Sequence, residues 1–145
     1  MPPWVTAGYE EYAGRMPPEC RLSLHEIPQP ALGRKVDAAR LKAEEGRRLL
    51  QAIPKGCRVV ALDPRGRAWD SSGLAHRLGD WLAGGRDLAL LVGGPEGLSA
   101  ACLERADERW SLSPLTFPHP LVRVILAEQL YRAWSILRGH PYHRR

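Results

Sequence analysis

Cysteine is too sparse here to organise the chain. Cys20, Cys57 and Cys102 are odd in number, far apart and without any CxxC spacing, which excludes a disulfide framework and a cysteine-built zinc site and fits a reducing cytoplasm. No apolar run approaches the roughly 18 residues of a transmembrane helix, and the N-terminus lacks the basic-then-apolar order of a signal peptide. There is no internal repeat, low-complexity tract or interdomain linker. Nucleotide-phosphate chemistry has little to stand on, because neither GxxxxGK[ST] nor GxGxxG occurs. Asp63 and Asp70 flank a loop without forming an acid/base pair, and no Ser/His/Asp or Cys/His constellation emerges. His140 and His143 are too few for a metal site.

What remains is a basic chain of 145 residues with a formal charge of +5 and a pI near 9.5. That length most simply makes one domain, long enough to bury about two-thirds of its unfolded surface. The charge suits a polyanionic partner, but an ordinary protein surface carries as much.

Apolar runs of strand length alternate with helical patterns. Helices are predicted over Trp4–Arg15, Val36–Ile53, Ser71–Leu82, Ser99–Arg109 and Leu121–Arg138, the last stopped by Gly139. Strands are predicted over Arg21–Ile27, Arg58–Leu62, Leu88–Val92 and Trp110–Thr116. This order argues an α/β fold with a mainly parallel sheet. A parallel series ordinarily begins with a strand, whereas this one opens on a helix, so a first strand is expected to be missing ahead of Met1.

Two segments qualify as the lips of one pocket, since ligands of parallel sheets sit beyond the strands' carboxyl ends. GGPEG, Gly93 to Gly97, follows one strand; its glycines permit close backbone approach to an uncharged or cationic ligand, or make a plain strand-to-helix turn. LSPLTFPHP, Leu112 to Pro120, follows the next. Its three prolines leave main-chain groups free to read an adenine edge beside Leu115 and Phe117, or form an ordinary strand exit.

The closing helix is apolar around most of its circumference, which requires cover on several sides, inside the domain or from a second subunit; a homodimer is the expectation. Glu128 and Arg132 are spaced to pair. Arg123 stands apart from them and needs a carboxylate, a carbonyl or a substrate anion. The terminal His140, Tyr142, His143, Arg144 and Arg145 either stack on a base and bind phosphate or fray in solvent. Basic residues from Arg34 and Lys35 to Arg48 either track an RNA backbone or form the wet face of a helix.

LVGGPEGLS, WSLSPLTFPHPLVRVILAEQLYRAWSI and the terminal HPYHR strongly resemble the RlmH family of SPOUT-superfamily methyltransferases. ALDPRGRAWDS and MPPWVTAGYEEYAGR extend the resemblance over essentially the whole chain. It implies a single domain with a C-terminal trefoil knot and a homodimer. The implied activity is S-adenosylmethionine-dependent methylation of N3 of a pseudouridine in 23S ribosomal RNA within the ribosome, without metal or membrane. Cofactor contacts would fall on Leu62, Gly93, Leu112, Ser113, Pro114, Leu115, Thr116 and Phe117. His119, Arg123, Tyr142 and His143 are the candidate catalytic and base-holding residues, and Arg34, Lys35 and Arg144 the candidate RNA contacts. The competing reading is a noncatalytic RNA-binding or ribosome-associated module on the same fold.

Overall fold

A computed structural model describes residues 2–28 and 37–144, with backbone alone for His143 and Arg144. The chain divides into two compact units, His25–Ala68 with Arg86–Thr116, and Met1–Leu24 with Trp69–Gly85 and Phe117–Arg145.

The first unit holds the sheet. Strands β1 (Arg58–Ala68), β2 (Leu88–Leu91) and β3 (Glu108–Ser111) pair in the order β2-β1-β3, and both ladders are parallel. Val59 and Ala61 of β1 pack with Leu91, Leu98 and Cys102. Over them lie Leu49, Leu50 and Ile53 from helix α2 (Ala38–Ala52), on the face that the apolar spacing indicates. Asp37 caps α2 by accepting the Arg40 N–H at 2.7 Å. Gly46 lets α2 press onto the start of helix α4 (Ala100–Arg105): a Cβ there would lie 2.1 Å from Ser99 Oγ and 3.4 Å from Cys102 Sγ. A glycine inside a helix costs about 1 kcal/mol relative to alanine, and close packing is what it allows here.

The second unit is helical. α5 (His119–Leu137) packs against α1 (Pro3–Ala13) and α3 (Ser71–Ala83). Val5, Leu74, Leu78, Trp81, Leu126, Leu130 and Tyr131 are buried. Pro3 suits the first turn of α1, where no N–H is needed, and Asp70 caps α3 by accepting the Gly73 N–H at 2.7 Å. Gly139, at φ +67, ends α5 with two bonds: its N–H reaches Ile136 O at 3.3 Å and that of His140 reaches Ser135 O at 2.8 Å. This paired closure is the Schellman motif, for which the left-handed conformation favours glycine.

Four element predictions need correction. Arg21–Ile27 forms no strand; its alternation of Leu22 and Leu24 with polar residues has no ladder to join, and these side chains are at best half-buried. β1 does not stop at Leu62 but resumes beyond a register shift, Leu62 and Arg67 both lying opposite Trp110. Gly66 passes so close to β3 that a Cβ would come within 2.6 Å of the Trp110 nitrogen. The helix from Ser99 ends at Arg105 rather than Arg109, and β3 starts at Glu108 and ends at Ser111 rather than Thr116. A reciprocal pair explains the change of conformation: the Val59 N–H donates to the Asp107 carboxylate at 2.8 Å, and the Asp107 N–H donates to Val59 O at 2.8 Å.

Candidate active site

The ladder register brings the proposed cofactor segments to the carboxyl end of the sheet. Ala61 lies opposite Leu91 and Leu62 opposite Trp110, so Leu62, Gly93 and Leu112 stand within two residues of these paired positions on three adjacent chains. Beyond β3 the chain turns on two serines. Ser111 Oγ donates to Ser113 O at 3.3 Å, and Ser113 Oγ accepts the Leu115 N–H at 3.0 Å. Pro114, Leu115 and Thr116 are exposed, Leu115 to 72%, while Leu112 and Ser113 are half-buried.

The GGPEG segment closes on itself. The Gly97 N–H donates to Gly94 O at 2.9 Å, and a Cβ at Gly93 would lie 2.6 Å from the Gly97 carbonyl carbon. Close approach is therefore required at Gly93, but the partner that requires it is the loop's own backbone. Ser99 then caps α4 by accepting the Cys102 N–H at 3.2 Å.

Glu45, on α2, faces this loop, and nothing in the sequence singles it out. A Cβ at Gly94 would lie 2.9 Å from its Oε2, and its Oε1 is buried with no hydrogen-bond partner among the described residues. The neighbouring Arg47 and Arg48 both turn to Glu44, at 2.5 and 3.3 Å. Hydrogen bonds from Arg47 and then Arg48 hold the Glu44 carboxyl down at about 2.

The helical unit carries the remaining candidates. Phe117, two residues ahead of α5, and His119 and Arg123 in its first turns are half-buried, and Arg123 is engaged by a partner within the chain. Glu128 and Arg132 pair as their spacing indicates, at 2.9 Å. The described part of the tail packs against α5. Its residues Pro141–Arg144 form a single 3-10 turn, and Tyr142 is 9% exposed. The Tyr142 hydroxyl donates to Glu128 Oε2 at 2.8 Å, Tyr131 meets its ring edge-on at 4.8 Å, and the Arg132 guanidinium lies 5.2 Å from its centroid. Burial first, and then the bond to Glu128, raises the pKa of that hydroxyl above its ordinary value. The phenol so enclosed anchors the tail to α5. The spacing of Glu128 and Arg132 was a signal for their pair, but nothing local announces the tyrosine as third member. Ser135, also on α5, is fully buried, and its hydroxyl donates to Arg132 O at 2.7 Å. Arg34 and Lys35 lie outside the described residues, as do the side chains of His143 and Arg144.

A family model described as "Predicted SPOUT methyltransferase" matches residues 1–143. "Ribosomal RNA large subunit methyltransferase H" of Thioalkalivibrio sulfidiphilus is 66% identical over 144 residues, covering 99% of this chain and 92% of that protein. The chain belongs to the RlmH family of SPOUT methyltransferases. Relatives of the same name from Alkalilimnicola ehrlichii and Methylococcus capsulatus are 61% and 58% identical, each over 99% of this chain and over 92% and 93% of their own lengths. The parallel α/β sheet agrees with that membership, and the SPOUT family implies the trefoil knot. The match runs through every segment described above, including both units. Among the described residues no group of three or more His, Cys, Asp or Glu is placed to hold a metal, and no helix is long and apolar enough to cross a membrane.

Proposed function

We propose that this RlmH-family chain is an S-adenosylmethionine-dependent methyltransferase acting on N3 of a pseudouridine in 23S ribosomal RNA, as a homodimer in the cytoplasm. The observation that carries the reading is the convergence of Leu62, Gly93 and the Leu112–Thr116 turn at the carboxyl end of the sheet, inside the matched family region. The residues present fit the cofactor. Exposed Leu115 offers an apolar face to a purine, the proline-punctuated turn leaves main-chain groups to read its edge, and the unpartnered Glu45 oxygen suits a cation. When bound, S-adenosylmethionine supplies an electrophilic methyl carbon on a sulfonium that is already a good leaving group.

The protein's task is then alignment of the attacking nitrogen with that carbon and exclusion of water. His119, half-buried at the start of α5, or His143 accepts the N3 proton. Arg123 and Arg144 hold the base and its phosphate, with Arg34 and Lys35 extending the contact along the RNA. Tyr142 contributes by anchoring the segment that carries His143 and Arg144. We read residues 1–145 as one SPOUT domain containing both compact units. α1 and α3 account for part of the cover that α5 needs; its half-buried Val122, Ile125 and Trp134 support a subunit contact for the rest.

The test combines calorimetry with labelled methyl transfer to ribosomes lacking the modification. Cofactor binding with transfer to the N3 position of a 23S pseudouridine is the expected result. Binding without transfer favours the noncatalytic module, and absence of binding removes the proposal.

A further inference from the structure

We infer that Glu45 is a specificity residue for the cofactor, its carboxylate receiving the α-ammonium group of the methionine moiety. The inference rests on the proposed S-adenosylmethionine site, but its evidence is separate. A carboxylate oxygen buried without a donor is costly, because water is lost and nothing replaces it. Glu45 Oε1 is in that position among the described residues, and Arg47 and Arg48 attend Glu44 instead. The carboxylate occupies the space beside Gly94 where any other residue would carry a Cβ, with Oε2 2.9 Å and Oε1 3.5 Å from that point. Gly94 is the residue after Gly93, at the carboxyl end of β2, so this carboxylate borders the proposed pocket. Glu45 also sits next to Gly46, whose contact with Ser99 fixes α2 against the segment following the loop.

What would satisfy it is a group carrying both positive charge and N–H donors. The α-ammonium has both; the sulfonium has charge but no N–H, and the ribose has donors without charge. A charge-assisted hydrogen bond from the ammonium completes the oxygen and orients the methionine end. No bond is made or broken, and Glu45 acts on binding alone.

The experiment is calorimetric titration of wild type and Glu45→Gln with three ligands. S-adenosylmethionine and S-adenosylhomocysteine carry the ammonium, whereas methylthioadenosine lacks it. The variant should weaken the first two by about tenfold or more and leave the third unchanged. An equal loss for all three would mean that Glu45 only shapes the loop, and a loss confined to S-adenosylmethionine would assign it to the sulfonium; either overturns the inference. Glu45→Asp, which keeps the charge, should recover part of the ammonium-dependent affinity. If wild type binds none of the three, the proposed cofactor site itself fails, and this inference with it.

Discussion

Gly46→Ala should destabilise the protein even though it improves a helix. Alanine in place of an internal helical glycine is worth about 1 kcal/mol in propensity. The new Cβ, however, would lie 2.1 Å from Ser99 Oγ and 2.8 Å from Ser99 Cβ, and Ser99 is buried and caps α4. Displacing that hydroxyl forfeits a cap worth about 1 kcal/mol, and overpacking costs about 1–3 kcal/mol more. The propensity gain offsets the lost cap, leaving a net loss of about 1–3 kcal/mol from overpacking. In urea, with a slope of about 2 kcal/mol per molar, the midpoint should fall by about 0.5–1.5 M. Ser99→Gly removes both clashing atoms for a few tenths of a kcal/mol, because glycine is itself an acceptable cap. On that background Gly46→Ala should be neutral or stabilising, since the remaining contact, Cys102 Sγ at 3.4 Å, is ordinary. Equal destabilisation on both backgrounds would refute the assignment of the clash to Ser99.

The tail and the loop give further expectations. Deleting residues 142–145 should lower the melting temperature by several degrees, because it removes the Tyr142 contacts with Glu128, Tyr131 and Arg132; an unchanged melt would mean that the turn is not docked. Tyr142 contributes stability that is complete below its ordinary pKa of 10.0 and lost as pH rises through its raised folded value, so Tyr142→Phe should flatten the alkaline end of a stability profile. Glu44 has the opposite sign: its stabilising contribution is present above 4.5 and fades as pH falls towards about 2, and Glu44→Gln should remove that acid-side loss in melts followed by circular dichroism. Gly93→Val should reduce S-adenosylmethionine affinity at least tenfold by opening the loop, measured by calorimetry on a variant shown to be folded.

Local chemistry made much of this architecture legible. Gly139 announced the end of α5, Asp70 and Ser99 stood where helices begin, and the apolar runs at Arg58 and Leu88 became neighbouring parallel strands. The glycine-rich and proline-rich segments both leave strands at the carboxyl end of the sheet. What was not legible depended on distant partners. Pro64 and Gly66 punctuate a strand in sequence, yet β1 resumes because Trp110 pairs with the chain on both sides of the interruption. The helix after Ser99 stops early because Asp107 is held by Val59, and Arg21–Ile27 alternates but joins no strand ladder among the described residues. At the site, Glu45 reads as one more charge on an amphipathic helix. Only the proximity of Gly94 and the turning of both arginines to Glu44 distinguish it.

The interrupted pairing of β1 also bears on the order in which the chain assembles. Val59 and Asp107 are 48 residues apart in sequence, so the β1–β3 ladder must close a long loop before any of its hydrogen bonds can repay the lost chain entropy. Arg67 and Ala68 meet Trp110 and Ser111 only once β3 lies alongside β1, and Gly66 must already be seated over the β3 backbone. The second half of β1 therefore belongs to the last steps of folding. Gly66→Ala should therefore speed unfolding while leaving the refolding rate nearly unchanged.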